Sequence, residues 1–337
     1  MTRPHQRDGE KRRREYLLVT DLANRVQCFR AAGLKVPDQD HDFFSETCEV
    51  LAELVQECLL GPVVRVINMQ DLSYAILSRA HEIAGGFDSA YIVSSCTEIA
   101  SPAHGTTLEI NRLVDYQGNI LGIGPRPGYP SIESQILSIM ATAGDRPIIV
   151  MEDGVFSGRT LCDVVHRLGK NVTAIVVGFV FPEGRDILCK EFDEKQLHII
   201  ESVNDPADWV PDHDFFPFIP NCGRVLGAMM NGKAYPFYDY DGFPFAIPYL
   251  MPFSPMKEWT GLEVVAKMAE LSRYCLYRTI ELFRLIGEMN GRLIRPSDLR
   301  GCKPRICLPF QVGRGTLPSI RDESICDFLY RFDLEKE

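Results

Sequence analysis

Residues 147–161 read PIIVMEDGVFSGRTL, and this stretch decides the fold. Pro147 to Met151 is a short, unbroken apolar run, the pattern of a strand buried on both faces of a parallel sheet. Two acids, Glu152 and Asp153, close the run at the end of the strand where open α/β sheets bind their ligands. A short loop then passes through Ser157, Gly158 and Thr160 into a helix predicted over Gly158–Leu168. A loop that ends at a helix N-terminus presents unpaired backbone N–H groups and the positive end of the helix dipole, which suits a phosphate monoester. Ser157 and Thr160 add hydroxyl donors, and Gly158 removes the Cβ that would keep an anion at a distance. Adjacent carboxylates can each accept a hydrogen bond from vicinal sugar hydroxyls.

Elements of the same kind extend on both sides. Downstream, the pattern predicts a strand over Val172–Phe181, a helix over Gly184–Phe192 and a strand over His198–Ser202. Upstream lie a helix over Ile132–Ala143, two extended segments within Leu108–Ile123 around the turn Asp115–Asn119, and a β-rich run Phe87–Ser95. Strands alternating with helices at this spacing imply a mainly parallel sheet covered by helices, with one antiparallel hairpin. Before this core, apolar residues recur at helical steps from Asp21 to Leu60 and again from Asp71 to the pair Gly85 and Gly86. After it, residues 206–256 are dense in aromatics and prolines, which favours packed but irregular structure, and a long helix is predicted over Lys257–Asn290. The expected organisation is a basic tail (1–15), a helical N-terminal extension (16–61), an α/β core (62–205) and an aromatic-rich, α-rich C-terminal module (206–337).

The central stretch resembles the phosphoribosyl pyrophosphate (PRPP) signature of the type I phosphoribosyltransferases: an apolar strand, two acids, three variable positions, then Thr or Ser, Gly, any residue and Thr. Glu152, Asp153, Gly154, Val155, Phe156, Ser157, Gly158, Arg159 and Thr160 match it at full spacing. The resemblance implies that Glu152 and Asp153 hold the ribose hydroxyls, and that residues 154–160 wrap the 5′-phosphate. It places Ser95 and Cys96 in the position of the family's pyrophosphate loop, and residues 108–123 in that of its flexible hairpin. No lysine occurs between Met69 and Gly169, so cations for pyrophosphate are expected from Arg112, Arg126 or Mg²⁺. The implied activity is a pentosyl transfer, with ribose 5-phosphate passing from PRPP to an unidentified nitrogen acceptor with Mg²⁺ as cofactor and no covalent nucleophile. The alternative is a non-catalytic PRPP- or nucleotide-binding regulator, or a partner-docking component of a multi-protein system. The expected protein partners are a second copy of the chain or a protein encoded alongside it.

Other chemistries find less support. The letters around Asp153 echo a haloacid-dehalogenase loop, but Met151 stands where its nucleophilic acid belongs. His104 is a candidate to act on the leaving group or the base, against an exposed loop histidine; His166 reads as a partly buried packing residue on the helix after the loop, and Asp212, His213 and Asp214 as a solvated turn, with assistance to a metal or a base as the alternative. Trp209, Phe215, Phe216 and Phe218 are candidates for an aromatic hood over an acceptor, against ordinary core packing. A net charge of -10 disfavours general nucleic-acid binding. Eleven cysteines without a CxxC pair point to reduced thiols and a cytoplasmic setting, and Cys302 with Cys307 is two ligands short of a zinc site. No apolar run reaches the roughly 18–20 residues of a membrane span.

Overall fold

The computed structural model describes residues 14–96, 99, 105–115, 117–238, 242, 244–302, 306–307 and 323–332. The basic tail up to residue 13, Thr97 and His104 lie outside them.

From the N-terminus, β1 (Glu15–Thr20), α1 (Leu22–Gln27), α2 (Asp42–Glu57), β2 (Val63–Asn68) and α3 (Met69–Ala84) precede β3 (Tyr91–Ser94). Then come β4 (Gly105–Thr107), the hairpin β5 (Ile110–Val114) and β6 (Ile120–Pro125), α4 (Ile132–Ala143) and β7 (Ile148–Val155). The core ends with α5 (Arg159–Leu168), β8 (Val172–Val180), α6 (Pro182–Glu191) and β9 (Leu197–Ser202). Beyond it run β10 (Pro206–Pro211), β11 (Arg224–Met230), β12 (Lys233–Pro236), β13 (Phe245–Ile247), α7 (Met256–Thr260), α8 (Val265–Asn290), β14 (Ile306–Cys307) and α9 (Ile325–Tyr330).

The chain is α/β with mainly parallel sheets flanked by helices. Its central sheet has the order β4-β3-β7-β8-β9, and every pairing in it is parallel. The apolar run of β7 shows why. Ile148 and Val150 join the cluster that holds Ile136 and Ile139 of α4 and Leu161 and Val165 of α5. Ile149 and Met151 join the opposite cluster with Leu72 and Ile76 of α3. Alternation along the strand thus buries both faces at once. The predicted strand stops at Met151, but β7 continues to Val155, so both acids lie within it and Glu152 is still paired with Val177.

Sequence and structure differ most at the two ends. The segment 16–61 is not purely helical: β1 begins at Glu15, inside the stretch read as tail, and its apolar residues Tyr16 to Leu18 are fully buried. A six-residue strand directly before a helical period has too few positions to declare its own period. β1 is the middle strand of a second parallel sheet, β10-β1-β2, so the beginning, middle and later part of the chain meet in one sheet. Arg65 of β2 donates to Glu201 of β9 at 2.8 Å and ties this sheet to the central one. The C-terminal module is likewise richer in strands than expected. β11, β13 and β14 continue into the hairpin β5 and β6 as a mixed sheet, with β12 beside β11. The single helix expected over Lys257–Asn290 is two, because Gly261 takes a left-handed conformation (φ 66) and caps α7. α8 packs on α2, where Arg278 donates to the Phe43 carbonyl and the Thr47 hydroxyl at 2.8 and 2.9 Å and covers the Phe43 ring. The cysteines whose side chains are described, all but Cys307, are free thiols. Among the described residues no helix is long and apolar enough to cross a membrane.

Candidate functional site

In the central sheet the chain moves from β3 outward to β4, then returns to the other side of β3 as β7. This reversal leaves a crevice at the C-terminal ends of β3 and β7, the topological switch point where sheets of this order bind ligands. A cleft of about 310 Å³ opens there. Of the predicted site residues, Ser95, Cys96, Arg112, Glu152, Asp153, Gly154, Val155, Phe156, Ser157, Gly158 and Thr160 all line it. Arg159 does not: it is the first residue of α5 and is exposed outside the lining. A cation at that position therefore does not enter the cleft.

Each wall has a local cause. Gly158 precedes α5 with φ 74, a conformation that a side chain would strain, and the N–H groups of the following turn face an end with no intrahelical partner. Gly154 is fixed by contact: a Cβ there would overlap the six-membered ring of Trp209. Trp209 in turn meets Phe179 edge-on at 5.4 Å, and Phe156 meets Phe181 at 4.1 Å, so the loop rests on an aromatic layer. Ser95 is held by its N–H and hydroxyl, both donating to the Met151 carbonyl at 3.0 Å, and its hydroxyl also reaches Glu152. Burial and the adjacent Asp153 carboxylate raise the Glu152 pKa well above the ordinary value, against the opposing pull of Ser95 and Arg112. Asp153 accepts from the Gly154 N–H at 2.8 Å. Burial and the two acids also push the Cys96 thiol up.

The rest of the lining includes residues that the sequence did not single out. Arg126, just after β6 and expected as a cation, joins Arg112, and Arg25 of α1, Pro211 and Asn221 enter with them, as do His213 and Asp214 of the expected turn. The expected solvated turn at Asp212–Asp214 is instead buried, with exposures of 4%, 5% and 8%. Asp212 Oδ1 accepts from the N–H groups of Asp21 and Leu22, both at 2.9 Å, and so anchors the start of α1. His213 Nδ1 lies 2.5 Å from Asp21 Oδ1, and its Nε2 lies 3.5 Å from Asp214 Oδ1. Asp21 also receives the Arg25 Nε–H at 3.0 Å. Burial works against the Asp21 charge, but His213 and Arg25 outweigh it and hold its carboxyl far below the usual range. Burial and the Asp21 charge drive Asp212 the other way.

Ligand atoms of Asp21, Asp212 and His213 lie within 4.8 Å of one another, close enough to surround a metal ion. Their oxygens and nitrogen are already engaged with each other and with the α1 backbone. One signal for this part of the lining was present in the sequence: Arg25 sits on the apolar face of Leu22, Val26 and Phe29, four residues after Asp21. The aromatic candidates fall elsewhere. Phe215, Phe216 and Phe218 are fully buried in the main hydrophobic cluster, and Trp209 backs the loop without lining the cleft. His166, expected to pack partly buried, is instead exposed on α5, 3.5 Å from Glu191.

Fold and site together define an α/β protein with an acidic pair and a helix-capping loop facing arginines and a buried Asp-His pair across a switch-point cleft. No protein-family model and no curated protein matches the sequence.

Proposed function

We propose that the cleft binds PRPP with Mg²⁺ and transfers ribose 5-phosphate to a nitrogen acceptor. The observation that carries this reading is that the acidic pair, Gly154 to Gly158 and Thr160 line one cleft together with Arg25, Arg112 and Arg126. The loop and the N-terminus of α5 receive the 5′-phosphate, and Glu152 and Asp153 orient the ribose hydroxyls. The three guanidiniums, drawn from three separate elements, supply the charge for pyrophosphate that no lysine supplies among the described lining residues. Mg²⁺ held by the diphosphate with Glu152 or Asp153 would neutralise the leaving group. As the bond from C1 to the pyrophosphate oxygen breaks, the acceptor nitrogen forms the new bond to C1, and the electron pair leaves with pyrophosphate. His213, oriented by Asp21, is the imidazole placed in the cleft to take the acceptor's proton.

Calorimetric titration of the full chain with Mg²⁺ and PRPP tests the reading. Binding that the Glu152→Ala/Asp153→Ala double variant loses supports it; absence of binding to the wild type overturns it. The second reading, a nucleotide-binding regulator, draws on the lack of a lysine in the described lining. Release of pyrophosphate in the presence of an acceptor excludes that alternative.

A further inference from the structure

A cavity of about 780 Å³ adjoins the cleft, and two thiols with no part in the chemistry of the cleft, Cys28 and Cys302, stand in its lining. We propose that they form a redox site: an oxidant of the disulfide class links Cys28 to Cys302 covalently, and a thiol reductant opens the link again.

The fold brings the two thiols together from distant parts of the chain. Cys28 opens the 3₁₀ turn Cys28–Ala32 that continues α1, and Cys302 closes the 3₁₀ turn Pro296–Cys302 beyond α8. The Cys302 thiol donates to the Cys28 carbonyl oxygen at 2.7 Å, and the Ala32 N–H reaches the same sulfur. A carbonyl oxygen sits about 2.4 Å from its own Cα, which places that sulfur no more than about 5 Å from the Cys28 Cα. At that range, rotation about the Cys28 Cα–Cβ bond can bring its own sulfur to bonding distance, and both side chains are presented to the same cavity. The approach is fixed by packing outside the thiols as well. Asn290, the last residue of α8, accepts from the Lys35 N–H at 3.0 Å and donates to the Lys35 carbonyl at 2.8 Å, which holds the end of α8 to the segment just after the first turn.

Access distinguishes this pair. Cys58 and Cys275 also lie near each other, but both are fully buried in the main hydrophobic cluster, where no oxidant reaches. Cys28 is exposed and Cys302 half-buried. Burial raises both thiols, Cys302 to about 11, while Arg25 pulls the Cys28 value the other way. Few molecules therefore carry a thiolate at neutral pH, and the exchange is slow.

With glutathione disulfide as the oxidant, the Cys28 thiolate attacks one glutathione sulfur, the S–S bond of the oxidant breaks, and one glutathione leaves with the electron pair. The Cys302 thiolate then attacks the Cys28 sulfur and displaces the second glutathione. The two protons given up by the cysteines end on the two released glutathiones, so the protein loses two electrons and two protons and the oxidant gains them. Once formed, the link ties the turn after α1, the helix whose Arg25 lines the cleft, to the C-terminal module. It needs no ligand in the cleft and is independent of the PRPP reading.

The test incubates the full chain with glutathione disulfide at mildly alkaline pH, alkylates the remaining thiols and maps the peptides by mass spectrometry. Trypsin cuts after Arg25 and Arg30 and after Arg300 and Arg305, with Pro304 protecting the Lys303 bond, so each thiol lies alone on a short peptide, 26–30 and 301–305. The expected product is these two peptides joined, two hydrogens lighter than their sum and separated by dithiothreitol. In Cys302→Ser, which lacks the resolving thiol, Cys28 keeps its glutathione. Oxidation raises the urea midpoint of the wild type, because the link closes a loop spanning 274 positions in the unfolded chain, and leaves that of Cys302→Ser unchanged. Cys189, exposed and lining neither cavity, reports the reactivity of an ordinary surface thiol and forms no link. A wild-type Cys28 that remains open to alkylation, retains glutathione, or links to another cysteine or to a second chain overturns the assignment. Each of those outcomes is read on the wild type, so the folding of a variant does not decide the result.

Discussion

His213 Nδ1 and Asp21 Oδ1 meet at 2.5 Å although 192 residues separate them in the chain. The contact joins the start of α1 to the residues just after β10 in the wall of the cleft, and both side chains are buried apart from what His213 shows to the cleft. Removing the imidazole takes a buried hydrogen-bond partner from Asp21 and leaves it with Arg25, so His213→Gln is expected to cost about 2 kcal/mol at neutral pH. Because the folded Asp21 carboxyl lies below its unfolded value, its contribution is complete above the ordinary carboxylate pKa of 3.8 and is lost as pH falls below it. Urea denaturation of wild type and variant at pH 7 and pH 3 checks this: the gap between them is expected to narrow in acid.

Asp212 behaves in the opposite sense. Its folded pKa is raised by burial and by Asp21, so as pH rises above the ordinary carboxylate value the folded state is progressively penalised. Asp212→Asn keeps an oxygen for the N–H groups of Asp21 and Leu22 and removes the titrating acid. Calorimetric melting should show the variant more stable than wild type at pH 8, with the advantage disappearing by pH 4.

Glu152 must give up its proton to serve as a hydrogen-bond acceptor or metal ligand. With its pKa raised by burial and Asp153, PRPP and Mg²⁺ are expected to bind more tightly as pH rises, with release of protons. Titrations at one pH in buffers of differing ionisation enthalpy measure that release. The Glu152→Gln variant should lack it; equal proton release from the variant would assign the proton to another group.

Gly154 has no room for a methyl group because Trp209 occupies the space. Gly154→Ala is expected to destabilise the fold by about 1–3 kcal/mol, the range for overpacking. In a Trp209→Leu background the same substitution should cost less than half as much. A double-mutant cycle that instead shows additive effects would place the strain elsewhere in the loop.

The cleft-lining loop was legible from residues 147–161 because its information is local: an apolar run, two acids, a glycine and a helix start occupy consecutive positions. Of the nine predicted site residues in that stretch, all but Arg159 line the cleft. The facing wall was not legible, since Arg25 and His213 reach it only through the pairing of β1 with β10, whose register begins with Glu15 against Pro206. A single sequence carries no mark of such a pairing. The turn at Asp212–Asp214 misled for a related reason: its polar letters describe a surface until β1 and α1 are laid over it. The strands after residue 205 were obscured by prolines and aromatics, whose spacing follows contacts with distant segments more than a local period.

The three-stranded sheet β10-β1-β2 also sets an order of assembly. β1 and β2 can pair once the first 68 residues exist, but the third strand ends at Pro211. A contact of such long range closes late, after the local units β7-α5-β8 and β8-α6-β9 have formed. During synthesis, therefore, the part of the cleft built from β7 and the start of α5 takes shape before the part that brings His213 to it, and a nascent or truncated chain ending before Pro211 would expose a pocket that lacks the buried histidine of the finished protein.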